Sequence, residues 1–460
     1  MEIPAEEAPT LASDHPLTPR ERRRAIFAAT LGNGLEFYDF VTFAFFAIQI
    51  GHTFFPAGGD KYLSLMGSLA TFFVGFLTRP LGALVLGTYA DRVGRKPAMM
   101  ISMSLMGLGI VLLVCTPGYA RIGYAAPAIA VIARMIQGFA LGGEVGSATI
   151  YMMEGADPHR RAFSMSWQGA SQNIATTIGP LVGIAMASAM SAGELTDYGW
   201  RIAMGLGAVI VPVALVVRNS LPETVHHADT AVVEPIHSTA GLPWYRALWN
   251  VVSSYPRPIF CGLAIMGSGT ITTYITNYMA TYGQDTLHLS TRLSLTAEFS
   301  ANGIGIFAIL MGAAISDRKG RKYVMLVPQL ILCASIVPCF LWLTTERGAL
   351  SFIVGNLVIA WFSSVQYGAV YAAVSESIPK AVRARAFALV YALPVTFLGG
   401  STQLVVRWLL QVTGNPMSIA WYLTGVGLVG FAAMYALKES APVKVNAVRR
   451  SDSMGGLSKA

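Results

Sequence analysis

Long apolar runs dominate this chain: twelve of them, each of roughly 20 to 28 residues, are separated by short polar connections. A helix needs about 20 apolar residues to cross the hydrocarbon core of a bilayer. Hydrophobic residues make up 54% of the 460 residues and charged residues 12%, roughly half the charged fraction of soluble domains. A soluble fold of this size would have too little polar surface. The sequence therefore predicts a membrane protein and excludes cytosolic enzymes, secreted disulfide scaffolds and disordered regulators.

The runs divide into two blocks of six, which predicts an all-α membrane protein of two pseudo-symmetric six-helix bundles. The polar segments set the boundaries: an N-terminal tail (1–24), a first bundle (25–221), a linker (222–254), a second bundle (255–438) and a C-terminal tail (439–460). The predicted spans are 25–50, 62–88, 97–117, 123–152, 161–190, 200–220, 256–282, 292–315, 323–344, 350–376, 384–412 and 417–437.

Lysine and arginine are concentrated in alternate connections and in the two tails. Cytoplasmic connections of membrane proteins carry the excess of positive charge. This placement predicts that both termini are cytoplasmic, and it accounts for the net charge of +8 without a nucleic-acid partner. Three arginines instead fall inside predicted spans: Arg79, Arg134 and Arg407. Arg407 is close to the outer end of its span and is expected to extend outward to the surface.

Two different motifs recur in the two halves. Residues 87–96 read GTYADRVGRK and residues 312–322 read GAAISDRKGRK, which share the pattern DRxGRK. Residues 154–163 read EGADPHRRAF and residues 376–387 read ESIPKAVRARAF, at nearly the same offset. Two motifs that repeat at one offset indicate that the halves are structural copies.

These paired loops resemble the signature of the major facilitator superfamily of secondary transporters. Three further segments are similar to its branch of metabolite-proton symporters: GNGLEFYDF at 32–40, RPLG at 79–82, and RMIQG at 134–138 with GGE at 142–144. That branch carries citrate, 2-oxoglutarate, shikimate, proline and betaine, and HTFFP at 52–56 resembles its citrate and tricarballylate members. The resemblance implies the major facilitator fold, a bacterial cytoplasmic (inner) membrane location and alternating access between the bundles.

Ionisable groups inside spans cost roughly 2.5 to 3.5 kcal/mol each on insertion scales, so each needs a partner or a role. Glu36 and Asp39 are three residues apart on span 1 and therefore point in similar directions. Arg134, Gln137 and Glu144 share one face of span 4. Carboxylates that face an arginine form a site where a proton can replace an ion pair. We predict proton coupling at Glu36, Asp39, Arg134 and Glu144; a static ion pair between the two spans is the alternative.

Substrate binding is predicted at Arg79 and along polar stripes of several spans. A guanidinium near the midplane can hold a carboxylate through two parallel hydrogen bonds. The resemblance places this Arg-Pro pair in the substrate region of carboxylate carriers; permanent pairing of Arg79 with Glu36 or Asp39 is the alternative. Polar groups in spans face a partner helix or a water-filled cavity, so the stripes indicate helix packing or a polar substrate. The predicted contacts are Arg79, Tyr38, Gln137, Gln168, Gln172, Thr273, Tyr274, Asn277, Tyr278, Gln366 and Tyr367.

The repeated loops are predicted to close one end of the protein. Unpaired amides at a helix N-terminus stabilise a carboxylate, so Asp91 and Asp317 are expected to meet helix N-termini of the opposite half. In the superfamily such loops form a cytoplasmic latch; the alternative is that their charges only set topology. The predicted gating residues are Asp91, Arg92, Gly94, Arg95, Glu154, Arg161, Asp317, Arg318, Gly320, Arg321, Glu376 and Arg385.

No nucleotide-binding or metal-binding motif stands out in the sequence. The predicted function is uptake of a small organic anion, such as citrate or another di- or tricarboxylate, together with a proton. The carrier is expected to act as a monomer in the bilayer, without a cofactor, and to take its energy from the proton gradient. The alternatives are a proton symporter for betaine, proline or an aromatic acid, a proton-coupled exporter and, in a different class, a membrane sensor or intramembrane enzyme.

Overall fold

The computed structural model describes residues 37–56, 58–93, 95–142, 158–219, 252–379 and 382–444, and in these residues twelve main helices are found. In the N-terminal half these are α1 (37–45 and Ala47–Phe54), α2 (Lys61–Leu77 and Arg79–Val93), α3 (Arg95–Cys115), α4 (Ala125–Leu141), α5 (Arg161–Ala189) and α6 (Trp200–Asn219). The C-terminal half has α7 (Pro256–Asp285), α8 (Thr291–Lys319), α9 (Arg321–Glu346), α10 (Ala349–Ser377), α11 (Arg383–Pro394, a π-helical turn at Val395–Gly399, and Gly400–Thr413) and α12 (Ser418–Ala436). Each segment overlaps one predicted span. The predicted N-terminal tail and most of the predicted linker lie outside the described residues.

Seven helices in the described part of the chain are long and apolar enough to cross a membrane: α2 and all six helices of the C-terminal half. α3 and α4 contain shorter apolar segments. α5 has 29 residues but carries polar side chains along one face, and that face lies toward the opposite half. The polar face explains why α5 is less apolar than its neighbours.

Large apolar side chains are exposed along the outside of both halves. A contiguous apolar surface of this kind is unusual on a soluble monomer, whereas a bilayer solvates it. Examples are Leu63, Leu84, Val85, Phe260, Phe307, Leu330, Leu350, Trp421, Val429 and Tyr435, each more than half exposed. The surface therefore fits the membrane location that the composition predicted.

Each half has its own apolar core, and the halves meet along a few helices. In the N-terminal half the core is rich in phenylalanine from α1 and α2. Two core clusters fill most of the C-terminal half. Between the halves, α5 packs along α8 and α10, and α2 packs along α11. A site on these three interfaces can respond when one half moves against the other.

α2 and α4 approach each other so closely that glycine is required. A Cβ added to Gly138 would collide with the carbonyl oxygen of Gly75, and one added to Gly142 would collide with that of Arg79. Small residues at four-residue spacing allow this contact between membrane helices. The four-residue spacing of Gly138 and Gly142 therefore serves the packing of α4 on α2, and the contact places the backbone of Arg79 beside α4. Gly146, which continues this spacing, lies outside the described residues.

Gly138→Ala is expected to destabilise the protein, because the added methyl group has no space between α2 and α4. Overpacking of this kind costs about 1–3 kcal/mol. Thermal unfolding of the purified protein in detergent measures the effect, and the midpoint should fall. Gly87→Ala in α2 is the matched control, since a Cβ there meets no atom within 4 Å. An unchanged midpoint for Gly138→Ala would contradict the close contact.

Candidate functional site

α1 and α4 bring Asp39 and Arg134 together in the interior of the N-terminal half. Both residues are 0% exposed. Arg134 Nη1 donates to Asp39 Oδ2 at 3.4 Å and to Gln137 Oε1 at 2.6 Å. Asp39 Oδ1, Arg134 Nε and Arg134 Nη2 have no hydrogen-bond partner in the described part of the chain. The pair is therefore long and incompletely bonded, which leaves both groups able to change partners.

Phenylalanine rings take the place of water around this arginine. The Arg134 Cζ lies 4.4 Å from the centre of the Phe43 ring and 4.8 Å from that of Phe40. Stacking on an aromatic face stabilises a buried guanidinium by cation–π attraction. Such contacts hold the cation without using its N–H donors, so those donors stay available.

Arg79 is a second buried guanidinium beside the first. Its Cζ lies 4.1 Å from the Phe76 ring centre and 4.5 Å from that of Phe40, so both arginines contact the Phe40 ring. Arg79 Nε and Nη2 have no hydrogen-bond partner among the described residues. Tyr274 of α7 also contacts Arg79. Since Asp39 pairs with Arg134, the described residues do not support permanent pairing of Arg79 with Asp39.

One cavity lies between the two halves, and polar side chains from both halves line it. α5 forms one wall of the cavity with residues in and beside its predicted polar stripe. α7, α8 and α10 form the opposite wall. Six of the predicted substrate contacts line it: Gln172, Thr273, Tyr274, Asn277, Gln366 and Tyr367. Sequence reasoning missed Asn173, Thr176, Asn302, Ser363 and Ser364, which also line it. Thr176 could have been found from the α5 stripe, because it lies four residues beyond Gln172, about one helical turn.

Other predicted substrate contacts lie away from this cavity. The Tyr38 hydroxyl donates to the Ala203 carbonyl of α6 at 2.6 Å, so it faces the interior of the N-terminal half. Tyr278 is packed in the core of the C-terminal half. Each residue directly neighbours a predicted site residue in sequence, and adjacent helix positions differ by about 100°. The predicted substrate contacts that do not line the cavity are Arg79, Tyr38, Gln137, Gln168 and Tyr278.

Arg79 lies next to the cavity rather than in its lining, with Tyr274 between them. Tyr274 lines the cavity and also contacts Arg79. Tyr274 therefore links the cavity wall to Arg79. Gln137 is fully buried and accepts its hydrogen bond from Arg134, so it belongs to the ion-pair site.

At the end of the bundle where α8 meets α9, which we call the Asp317 end, charged residues connect the halves. Asp317 Oδ1 and Oδ2 accept hydrogen bonds from the backbone N–H groups of Ala162 and Phe163 at 3.1 and 3.0 Å. These amides form the N-terminus of α5, so Asp317 makes the contact with the opposite half that was expected of it. The helix dipole and the free amides both stabilise the carboxylate there.

Arg321 holds this contact in place. Its guanidinium is 1% exposed and lies 2.6 Å from Asp317 Oδ1 and 3.1 Å from Glu376 Oε1. Arg161 of the opposite half lies 3.8 Å from the same Glu376 oxygen. We call these four residues, Arg161, Asp317, Arg321 and Glu376, the latch cluster.

Not every predicted gating residue joins the latch cluster. Arg318 is exposed, and Gly320 has a φ of +109°, which favours glycine at the turn between α8 and α9. Four predicted residues lie outside the described residues: Glu36 and Glu144 of the coupling set, and Gly94 and Glu154 of the gating set. The side chains of four more are also outside the described part: Asp91, Arg92, Arg95 and Arg385.

The chain after α12 adds two contacts that the sequence reasoning missed. Glu439 accepts hydrogen bonds from the N–H groups of Arg321 and Lys322 at 2.9 and 3.0 Å, and so caps α9. The Ser440 hydroxyl donates to Glu376 Oε2 at 2.8 Å. An acidic residue directly after the last apolar run, in a mainly basic tail, was the available signal.

At the opposite end of the bundle, where α7 ends, Arg407 pairs with Asp285. Arg407 Nη1 lies 2.7 Å from Asp285 Oδ2, and the Arg407 Cζ lies 5.2 Å from the ring centre of Tyr62 in α2. The expectation that Arg407 extends outward to the surface is wrong, because its side chain is largely buried between these two partners. The contact between Arg407 and Tyr62 also joins the two halves.

A buried carboxyl in α8 also escaped the sequence reasoning. Glu298 is 2% exposed and accepts a hydrogen bond from Asn302 Nδ2 at 3.3 Å. It lies inside predicted span 8, where the cost of an ionisable group in a membrane span applies as it does to Asp39. That rule could have found it.

Comparison with known proteins assigns the chain to a family. The family profile described as Major Facilitator Superfamily matches residues 26–391. The chain therefore belongs to the major facilitator superfamily and is a multi-pass membrane transporter, not an enzyme.

Named relatives refine this assignment. The Citrate-proton symporter of Salmonella typhi is 37% identical over 424 residues, which cover 90% of this chain and 95% of that protein. The Alpha-ketoglutarate permease of Escherichia coli (strain K12) is 31% identical over 429 residues, covering 92% and 96%. The crystal structure of a D-xylose-proton symporter superposes with a TM-score of 0.73 at 18% identity, over 92% of this chain and 99% of that one. This last likeness concerns the fold, and the predicted major facilitator fold is confirmed.

Asp317→Asn is expected to loosen the contact between the halves at the Asp317 end. The substitution removes the charge that binds Arg321 and the α5 amides, and a loss of about 1.4 kcal/mol shifts an equilibrium tenfold. Spin labels on Arg160→Cys and Arg318→Cys, in a background without native cysteines, report the distance between the halves. The distribution should gain a longer component. Asp197→Asn, at an exposed carboxylate, is the control, and identical distributions in both variants would contradict the latch.

Proposed function

We propose that this transporter takes up a small organic anion together with a proton. The proposed substrate is a di- or tricarboxylate such as citrate, and the relatives named for citrate and alpha-ketoglutarate support it. The observation that carries the proposal is a buried charge imbalance: Arg79 and Arg134 share the Phe40 ring, while Asp39 is the one carboxylate that the described residues place beside them.

Unused hydrogen-bond donors favour an anion at this place. Arg79 has two unpartnered donor atoms and Arg134 has two more. Buried donors without acceptors cost free energy. A carboxylate accepts from a guanidinium through two parallel bonds, so an anionic substrate supplies what the protein itself leaves out.

The Asp39–Arg134 pair provides a means of coupling. When Asp39 takes up a proton, Arg134 loses its counter-charge and attracts an anion more strongly. When the anion leaves, Arg134 again favours the ionised form of Asp39, and the proton is released. The charge of Arg134 is therefore balanced in two states. In one, Asp39 is protonated and the substrate is bound; in the other, Asp39 is ionised and the substrate is absent. Symport requires this linkage between proton and substrate.

Rocking of the halves then exposes the site to either side. The latch cluster supports closure at the Asp317 end, because its contacts join α5 to α8 and α10. We place this end in the cytoplasm, with both chain termini, and the protein in the bacterial inner membrane, since the basic residues concentrate there. The proposal includes function as a monomer in the lipid bilayer, driven by the proton gradient without a cofactor.

A zwitterionic osmolyte such as betaine is the second candidate. Its cationic end needs an aromatic cage, and three tyrosines lie close together, one of them at the cavity. Tyr367 and Tyr371 have ring centres 5.2 Å apart, and Tyr391 lies 6.3 Å from Tyr371. Tyr367 lines the cavity. The free donors of Arg79 and Arg134 favour the anion.

Uptake into proteoliposomes tests the proposal. Labelled citrate, 2-oxoglutarate, shikimate and betaine are compared with and without an inward proton gradient, and a di- or tricarboxylate should accumulate only with the gradient. Arg79→Gln should weaken its apparent affinity roughly 10- to 100-fold, the value of a charge-assisted hydrogen-bond pair. Arg292→Gln, at an exposed arginine, is the control. Gradient-driven accumulation of betaine alone would replace the anion by the second candidate.

Asp39→Asn separates coupling from binding. The amide imitates the protonated acid, so exchange of internal for external substrate should continue, while gradient-driven accumulation should be lost. Counterflow and uptake in the same vesicles measure the two quantities. Asp197→Asn should keep both. Full accumulation by Asp39→Asn would move the coupling role to another carboxyl.

A further inference from the structure

Glu298 is a buried carboxyl that the coupling scheme above does not use. It lies seven residues into α8, about 10 Å along the helix axis from its start. The side chain faces α7, where it lies against the backbone of Ala280. With 2% of its surface exposed, it is as well enclosed as the residues of the apolar core.

No cation compensates this carboxyl in the described residues. Asp39, Asp285, Asp317 and Glu376 all have arginine partners within 4 Å, whereas Glu298 has none. An ionised carboxylate without a cation is expensive in such surroundings unless hydrogen bonds offset the cost. The neutral acid is therefore an accessible form of Glu298, in contrast to the four paired carboxylates.

The described residues of the neighbouring helices supply no cation to Glu298. α5, α7, α9 and α10 pack against α8. The described stretches of α5 and α10 at this level (176–189 and 349–363) contain no ionisable side chain. α7 contributes tyrosines and Asp285, which is already paired with Arg407, and Arg292 of α8 itself is exposed. The ionisable groups on these elements at this level are Tyr274, Tyr278, Tyr282, Asp285, Arg292, Cys339 and Glu346.

Asn302 connects Glu298 to the cavity. Its Nδ2 donates to Glu298 Oε2 and to the Thr176 carbonyl oxygen of α5, both at 3.3 Å. Asn302 and Thr176 line the cavity. One amide group therefore joins the buried carboxyl, the cavity wall and the opposite half of the protein.

We propose that Glu298 is a second proton-binding site of this transporter, which exchanges its proton with the cavity beside Asn302 and reports its charge to the α5–α8 contact. A proton from cavity water forms the O–H bond of the neutral acid and returns to cavity water on release. The ionised carboxylate holds the Asn302 amide; the neutral acid accepts more weakly, which loosens Asn302 and lets its amide bond more strongly to Thr176 or to a substrate. The coupling part of this inference rests on the proposed function.

The arrangement gives the two halves different proton sites. The charge of Asp39 in the N-terminal half is balanced by Arg134, and protonation of Asp39 removes this ion pair. Glu298 in the C-terminal half has no cation beside it among the described residues, so protonation removes an uncompensated buried charge. Two such sites allow a polyanionic substrate to travel with more than one proton, which reduces the charge that must cross the membrane.

Infrared difference spectroscopy of the reconstituted protein tests the site without any substrate. A protonated carboxyl gives a C=O stretching band that vanishes on ionisation. The wild type and Glu346→Gln, at an exposed carboxylate, should show a pH-dependent band that Glu298→Gln lacks. Asn302→Ala should shift this band, because the carboxyl loses its hydrogen-bond donor, and this variant serves if Glu298→Gln does not fold. A spectrum with no pH-dependent band assignable to Glu298 would overturn the proposal.

The ratio of protons to substrate taken up provides the second readout. Glu298→Gln should lower this ratio relative to wild type and Glu346→Gln, while exchange continues. An unchanged ratio, with normal proton-coupled uptake by the wild type, would reject the coupling role of Glu298 and leave the proposed function intact. A wild type that moves no protons with substrate would reject the proposed function, while a pH-dependent Glu298 band would still establish the proton site.

Discussion

The high cost of a charge in an apolar interior governs this structure. Arg134 is fully buried, and the protein offsets its charge with one carboxylate at 3.4 Å, one amide and the faces of phenylalanine rings. Rings stabilise the cation but accept none of its N–H bonds. The site is therefore balanced in charge at the Asp39–Arg134 pair and unsatisfied in hydrogen bonds, and a mobile proton or anion can complete it.

Close packing of α2 on α4 makes this balance possible. The glycines of α4 let the backbone of α2 approach closely. Arg79 belongs to the stretch of α2 in this contact, so its position is fixed beside α4. Both guanidinium groups then meet the Phe40 ring, although like charges repel. At the Asp317 end the solution is different, because the charges of the latch cluster pair with one another and with the amides of α5. The buried arginines of the N-terminal half instead share a single carboxylate among the described residues.

Sequence reasoning located the fold and much of the site. The cost rule for ionisable groups identified the buried residues Asp39, Arg79 and Arg134, and helical spacing identified six of the polar residues that line the cavity. It misplaced Tyr38 and Tyr278, because a rotation of about 100° separates each from its neighbour and polarity does not indicate which way a tyrosine faces. It overlooked Glu298, although the same rule applied. Contacts made by loops and the C-terminal segment, such as that of Glu439, have no periodicity to predict them.

By itself, the sequence determined that this chain crosses a membrane in twelve helices arranged as two related halves, since apolar length, basic connections and a repeated motif are all properties of order along the chain. Only the tertiary structure decided which charges meet. Asp39 selects Arg134, Arg407 selects Asp285, and Glu298 has no cation within reach among the described residues. Pairing depends on distances of a few ångströms between helices far apart in sequence, and such distances follow from packing.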